Sequence, residues 1–173
     1  MWTPHQALTG KTLWCLKRAV ARPQRFIGTH FFNPVPVMPF FEIVSLPGTD
    51  SGTLKHSLRF VERLGKQSVI VSDSPGFVVN CLLIRMINDA FAPLDEDVAK
   101  PDNIDLAMKT GSDQPIAPLR LADLIGLDVC PAILESLHGR PSSDRYLPPA
   151  SLRRYVSEGR LGRKTGRGVC EHR

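Results

Sequence analysis

The segment THFFNPVPVMPFFE, residues 29–42, constrains the fold of this chain more than any other. It places three prolines between two runs of apolar residues. Proline lacks a backbone N–H and is costly inside helices and central strands, so the segment predicts a rigid, irregular loop. The apolar runs beside it, residues 25–32 and 40–46, predict two short and largely buried strands.

The residues that follow alternate between helix and strand. Residues 50–65 carry apolar side chains at helical spacing, with Asp50 or Ser51 able to cap the start and Gly65 suited to the end. Residues 67–72 predict another strand. A strand, a helix and a strand in this order are typical of a parallel α/β sheet.

The pattern changes after Asp73. A strongly apolar helix is predicted to begin at Ser74 and Pro75, and further helical segments follow to residue 162 without another strand pattern. The sequence therefore predicts an α/β remnant over residues 21–73 and an all-α helical domain over residues 74–173. No element is assigned to residues 1–20. Because so little sheet precedes the helical domain, the sequence is interpreted as a protein that lacks its N-terminal part.

Composition and charge exclude several classes of protein. The chain has 173 residues, 42% of them hydrophobic, and no apolar run approaches the roughly 20 residues needed to cross a bilayer. No secretory signal pattern is present at the N-terminus. Residues 151–173 hold seven basic and two acidic residues, which accounts for the whole net charge of +5. With Tyr155 as the sole aromatic residue in this tail, neither nucleic acid nor a membrane is the predicted partner.

The cysteines and most histidines give no sign of a metal site. The four cysteines are scattered without a Cys-x-x-Cys pair, which indicates a reducing cytoplasm and argues against zinc or a disulfide framework. Four histidines lack a carboxylate or cysteine at ligand spacing and are interpreted as surface residues: His5, His56, His138 and His172.

Three polar side chains in apolar surroundings are the candidate site residues. His30 ends the first predicted strand, where open α/β sheets bind ligands, and a neutral imidazole can accept a proton near pH 7. Glu42 begins the next strand. An unpaired buried carboxylate is costly, so Glu42 needs a partner. The proline-rich loop can fold Glu42 back beside His30, which would then be that partner. Asn80 needs hydrogen-bond partners in its apolar helix, and a ligand can supply them. The spacing also allows a His30 that caps a strand edge, a Glu42 that points to water, and an Asn80 that is satisfied in the core or faces solvent.

Four blocks, in this order, resemble the NAD-dependent 3-hydroxyacyl-CoA dehydrogenase family. They are RFIGTHFFNPVPVM, LGKQSVIVSDSPGFVVNCLL, NIDLAMKTGSDQPIAPLRLADLIGLD and GRLGRKTGRG, and the likeness extends from about Ala21 to Gly168. The resemblance implies that residues 21–73 are the C-terminal end of a Rossmann-like NAD-binding domain. It also implies that residues 74–173 form the helical C-terminal domain, through which the family forms homodimers.

The resemblance also implies a reaction and the residues that carry it out. The family oxidises (S)-3-hydroxyacyl-CoA to 3-ketoacyl-CoA with NAD in fatty-acid and butanoate metabolism. His30 matches its catalytic histidine, which removes the hydroxyl proton. Glu42 matches the acid that orients and charges this histidine, and Asn80 matches the amide that positions substrate and histidine.

The sequence departs from the family in its cofactor-binding half. The only Gly-x-Gly, at residues 166–168, has no strand before it and no helix after it, so it is not a dinucleotide-binding turn. Cofactor-binding residues are therefore not assigned, and the isolated chain is expected to be impaired. Two hypotheses follow: part of a 3-hydroxyacyl-CoA dehydrogenase, or a non-catalytic dimerisation module derived from one.

Overall fold

The computed structural model describes residues 10–137 and 146–172. The chain divides into two compact units between Val79 and Asn80. Within the described residues, the first unit contains a three-stranded sheet and two α-helices. Its elements are α1 (Gly10–Ala19), β1 (Gly28–Phe31), β2 (Phe40–Ser45), α2 (Ser51–Arg63) and β3 (Gln67–Ser72).

The three strands lie in the order β1-β2-β3. β1 and β2 are antiparallel across the proline-rich loop, which contains a cis peptide bond between Asn33 and Pro34. β2 and β3 are parallel and are connected by α2. The parallel strand-helix-strand arrangement predicted from the sequence is therefore confirmed, and β3 spans the six residues predicted for it.

Alternation along β2 sends its side chains to the two faces of the sheet. One face carries Phe41 and Ile43, which pack with Val61 of α2. The opposite face carries Val44, which packs with Leu13 of α1 and with Leu46 and Val71. A helix on each side explains why β2 is apolar at almost every position, as strands covered on both faces are.

The ends of α2 follow the sequence prediction. The carboxylate of Asp50 accepts a hydrogen bond from the N–H of Thr53 at 2.7 Å, which caps the first turn of the helix. Gly65 follows the helix with a φ of +64°, in the left-handed region that glycine adopts without steric cost.

Two boundaries differ from the sequence prediction. The helix expected to begin at Ser74 and Pro75 begins at Val79, after a turn. The reason is that Gly76 and Phe77 have φ values of +71° and +45°, which a right-handed helix does not allow. In addition, α1 lies within residues 1–20, where the sequence predicted no element.

The second unit is helical within the described residues, as predicted. Its helices are α3 (Val79–Asp89, which starts at the boundary), α4 (Ala92–Asp95), α5 (Pro101–Gly111), α6 (Pro118–Ile125), α7 (Val129–Leu137) and α8 (Ala150–Ser157). Fully buried leucines form much of its core: Leu119, Leu127, Leu134, Leu137 and Leu152. None of the described helices is long and apolar enough to span a membrane.

Two buried carboxylates bind backbone N–H groups in this unit. Asp105 of α5 accepts hydrogen bonds from the N–H groups of Leu119 and Arg120 and so caps the start of α6. Asp123 of α6 accepts hydrogen bonds from the N–H groups of Val169 and Cys170 in the C-terminal tail, at 2.8 and 2.9 Å. The tail is thereby attached to the helical core.

Candidate active site

The centre of the candidate site is a histidine–glutamate pair in the first unit. His30 of β1 and Glu42 of β2 are direct partners in the antiparallel register, so their side chains share one face of the sheet. Nδ1 of His30 lies 2.8 Å from Oε2 of Glu42. Glu42 is fully buried and His30 is 8% exposed. The structure thus joins the two residues that the sequence predicted to pair.

The second oxygen of Glu42 has partners that the sequence did not reveal. Its Oε1 accepts hydrogen bonds from the backbone N–H groups of Val78 and Val79, both at 3.0 Å. Burial raises the pKa of Glu42, but the hydrogen bonds from His30, Val79 and Val78 together outweigh this effect and hold the pKa below its ordinary value. The carboxylate is therefore ionised at neutral pH although no solvent reaches it.

Two aromatic rings contact the imidazole of His30. The ring of Phe32 lies 4.6 Å away and that of Phe77 lies 5.4 Å away, measured between ring centroids. Both rings are tilted relative to the imidazole, at 58° and 51°. The contacts restrict the rotation of the imidazole and add to the orientation that Glu42 imposes.

This arrangement determines which histidine nitrogen can react. An ionised carboxylate can only accept hydrogen bonds, so Nδ1 of His30 is the nitrogen that donates its proton to Oε2 of Glu42. Nε2 is then left as the proton acceptor of the neutral ring. A buried anion beside the ring stabilises the imidazolium that forms when Nε2 takes up a proton.

Asn80, the third candidate, is the second residue of α3 and is half-buried. It was predicted to lie two turns inside a helix beginning at Pro75, and this position is wrong because the helix begins four residues later. Asn80 belongs to the second unit. Its role toward substrate and histidine stays a prediction.

The remaining histidines differ in their surroundings. His56 is exposed, as predicted, with Nδ1 2.8 Å from the carbonyl oxygen of Gly52. His172 is not a surface residue: its Nε2 lies 2.8 Å from Oδ2 of the buried Asp123. The sequence missed this pair because 49 residues separate its members. His5 and His138 lie outside the described residues. Within those residues no group of three or more potential ligands is placed to bind a metal ion.

Comparison with protein families shows to which family the chain belongs. Residues 76–172 match the model of the 3-hydroxyacyl-CoA dehydrogenase C-terminal domain, and residues 12–74 match that family's NAD binding domain. The chain belongs to the 3-hydroxyacyl-CoA dehydrogenase family. The resemblance noted in the sequence is thereby confirmed, and with it NAD as the cofactor of the family to which the chain belongs.

Individual relatives give the same result. A 3-hydroxybutyryl-CoA dehydrogenase of Bradyrhizobium diazoefficiens is 46% identical over 158 residues, covering 91% of this chain and 54% of the relative. A probable 3-hydroxybutyryl-CoA dehydrogenase of Bacillus subtilis is 43% identical over 173 residues, covering 98% of this chain and 60% of the relative. The crystal structure of (S)-3-hydroxybutyryl-CoA dehydrogenase from Ralstonia eutropha superposes with a TM-score of 0.89 at 43% identity, covering 97% of this chain and 58% of that one. The chain thus spans little more than half the length of these relatives.

Among the described residues, the two helices that follow strands have N-terminal N–H groups already bound to carboxylates, which bears on the binding of the NAD pyrophosphate. Such a group binds at a helix N-terminus that follows a strand, where free N–H groups point at the ligand. At the start of α2 this position is occupied by the carboxylate of Asp50. At the start of α3 the N–H groups of Val78 and Val79 are bound to Glu42. Both junctions therefore present an anion where a second anion would have to bind.

Proposed function

We propose that this chain carries the proton-transfer pair of an enzyme that oxidises (S)-3-hydroxyacyl-CoA to 3-ketoacyl-CoA. The observation that supports the proposal is the buried hydrogen bond between Nδ1 of His30 and Oε2 of Glu42, in a chain of this family. A base with a fixed tautomer and a stabilised cationic form is what removal of a hydroxyl proton requires.

In this proposal His30 is the general base. Its Nε2 accepts the proton of the substrate 3-hydroxyl group while Glu42 stabilises the resulting imidazolium. Asn80 helps to position the substrate and the histidine. Family membership implies NAD as the hydride acceptor, whereas the described residues supply only the proton-transfer part of the chemistry.

The substrate we propose is an acyl-CoA. The Bradyrhizobium and Ralstonia relatives are named for 3-hydroxybutyryl-CoA, which makes (S)-3-hydroxybutyryl-CoA the first substrate to test, in fatty-acid or butanoate metabolism. The cytoplasm is the proposed location because the four scattered cysteines have no disulfide spacing.

A second candidate function is a non-catalytic association module. The occupied helix N-termini favour it, because NAD without a pyrophosphate site loses much of its binding energy. The helical unit also exposes large apolar side chains, which is common at surfaces that pair. The most exposed are Leu82, Val98 and Leu106. Homodimerisation through this unit is compatible with either candidate function.

The test is NAD-dependent turnover in a fusion protein. The N-terminal half of the Bradyrhizobium relative is joined ahead of residue 10, and NADH formation is followed by absorbance with (S)-3-hydroxybutyryl-CoA. The enzymatic proposal predicts turnover of the (S) substrate that is lost in His30→Gln. The (R) enantiomer is the control substrate and should not be oxidised. A folded fusion that binds NADH but does not oxidise the (S) substrate would favour the association module.

A further inference from the structure

The turn between β3 and α3 has an unusual backbone. Gly76 and Phe77 both lie in the left-handed region, with φ values of +71° and +45°. Glycine adopts such values freely, whereas a bulky side chain rarely does and is held there by its surroundings. The N–H of Phe77 donates to the carbonyl oxygen of Ser74 at 3.0 Å and closes the turn.

The two N–H groups that follow this turn converge on one oxygen atom. Successive N–H groups after a left-handed residue form a concave anion-binding site. Here those of Val78 and Val79 both donate to Oε1 of Glu42. The oxygen they bind is not the one that faces His30. Both oxygens of the carboxylate are thus bound, Oε1 by the turn and Oε2 by the histidine.

The side chain of Phe77 is fixed on the same face of the sheet. It packs against the cluster formed by Leu13, Val44, Leu46 and Val71. Its ring also contacts the imidazole of His30. The ring therefore attaches the turn to the sheet at the point where the histidine lies.

We propose that Phe77 is a positioning residue of the catalytic site: its left-handed backbone directs the N–H groups of Val78 and Val79 at Glu42 and so holds this acid in place as the partner of His30. The proposal rests on the proposed function of His30 as the base. Burial raises the pKa of Glu42 and these two hydrogen bonds, together with the one from His30, lower it, so losing the two moves the pKa upward. A neutral Glu42 stabilises the imidazolium poorly, and it leaves the tautomer of the neutral imidazole less well defined.

Two substitutions distinguish the effect of the Phe77 backbone conformation from the effect of its ring. Phe77→Asn removes the ring but tolerates the left-handed conformation, whereas Phe77→Val stays apolar but is β-branched and disfavours it. If Phe77 serves only to fill apolar space, valine is the milder change. If its backbone conformation matters, asparagine is the milder change.

The measurement is NMR of the 173-residue chain, labelled with ¹⁵N and with ¹³C in glutamate carboxyl groups. We expect downfield amide protons for Val78 and Val79 and a Glu42 carboxyl that titrates below its ordinary range. Phe77→Asn retains both signatures. Phe77→Val loses the downfield shifts and moves the Glu42 titration upward. Phe32→Leu is the matched control, since Phe32 contacts the same imidazole but lies outside the turn. It should leave both signatures intact.

Three results would overturn the proposal. The first is a Phe77→Val protein that is folded and retains both signatures, and the second is a Phe77→Asn protein that is folded and loses them. If Phe77→Val does not fold, the asparagine variant decides alone. The third, which needs no substitution of Phe77, is a folded Glu42→Leu protein whose Val78 and Val79 amide shifts match the wild type, because leucine has no oxygen to accept these hydrogen bonds. None of these measurements involves turnover, so they fail independently of the proposed function.

Discussion

His30 and Glu42 face each other as direct partners across β1 and β2, with Nδ1 and Oε2 2.8 Å apart. Because side chains alternate between the faces of a strand, a register shift of one residue would send one of the pair to the opposite face. The proline-rich loop connects the two strands, and strand pairing fixes the contact. The geometry of the site therefore depends on the stability of a three-stranded sheet.

Glu42→Gln should destabilise the first unit at neutral pH and do so less in acid. The folded-state pKa of Glu42 lies below its ordinary value of 4.5, so its ionised form contributes stability above that pH. The contribution is lost as the pH falls through the folded-state pKa. Glutamine also places an NH₂ group among donors, and we expect a loss of about 1–3 kcal/mol at pH 7.

Urea unfolding at several pH values measures this effect. Trp14 lies in α1, so its fluorescence reports the first unit. Glu62→Gln is the control, because Glu62 is an exposed glutamate of α2. A difference between the wild type and Glu42→Gln that grows as the pH falls below 4.5 would contradict the assigned role of the carboxylate.

Asp123→Asn should release the C-terminal tail from the helical unit. The carboxylate accepts hydrogen bonds from the N–H groups of Val169 and Cys170 and from His172, and no solvent reaches it. We expect a loss of about 3 kcal/mol or more. Hydrogen exchange of the Val169 and Cys170 amides should be faster in Asp123→Asn than in the wild type.

The control for this change is Asp128→Asn. Asp128 pairs with Lys164 at the exposed surface, where such pairs contribute about 0–1 kcal/mol. Gly168→Ala tests the same attachment from the other side, because its Cβ would overlap the Asp123 carboxylate. Unchanged amide protection in both Asp123→Asn and Gly168→Ala would show that other contacts hold the tail.

The sequence predicted the parts of the site that are encoded locally. Short runs of mainly apolar residues predicted β2 and β3, and the cost of burying Glu42 alone pointed to a partner such as His30. The bonds from Glu42 to Val78 and Val79, and from Asp123 to His172, connect residues far apart in the chain, and no spacing rule predicts them. The start of α3 was misplaced because Pro75 usually favours a first helical turn, while the backbone at Phe77 depends on packing against the sheet.

The 173-residue chain should bind NADH weakly. Carboxylates occupy the N-termini of α2 and α3, where a pyrophosphate would otherwise bind. Titration of the purified chain, followed by the fluorescence of NADH, should show no saturation at micromolar concentrations. Saturable binding in that range would mean that the chain holds the cofactor by another route, and Asp50→Asn would then show whether the start of α2 contributes.

The chain should self-associate through its helical unit. Leu106 of α5 and Leu124 of α6 are 59% and 49% exposed on helices that pack against each other. Sedimentation velocity at tens of micromolar, an order-of-magnitude choice for a moderate interface, should show a dimer that Leu106→Glu weakens. Val37→Glu, a change at a 73% exposed residue of the first unit, is the control. A monomer at these concentrations would contradict homodimerisation.

The central claim is that His30 and Glu42 act as one proton-transfer unit. The most direct test is a double-mutant cycle on the turnover of (S)-3-hydroxybutyryl-CoA by the fusion protein. We expect His30→Gln to reduce kcat by about 10²–10⁴-fold, as loss of a general base does, and Glu42→Gln to reduce it less. The double variant should be little worse than His30→Gln, because residues that act as a unit are not additive. Additive losses, or a His30→Gln enzyme with wild-type turnover, would contradict the account.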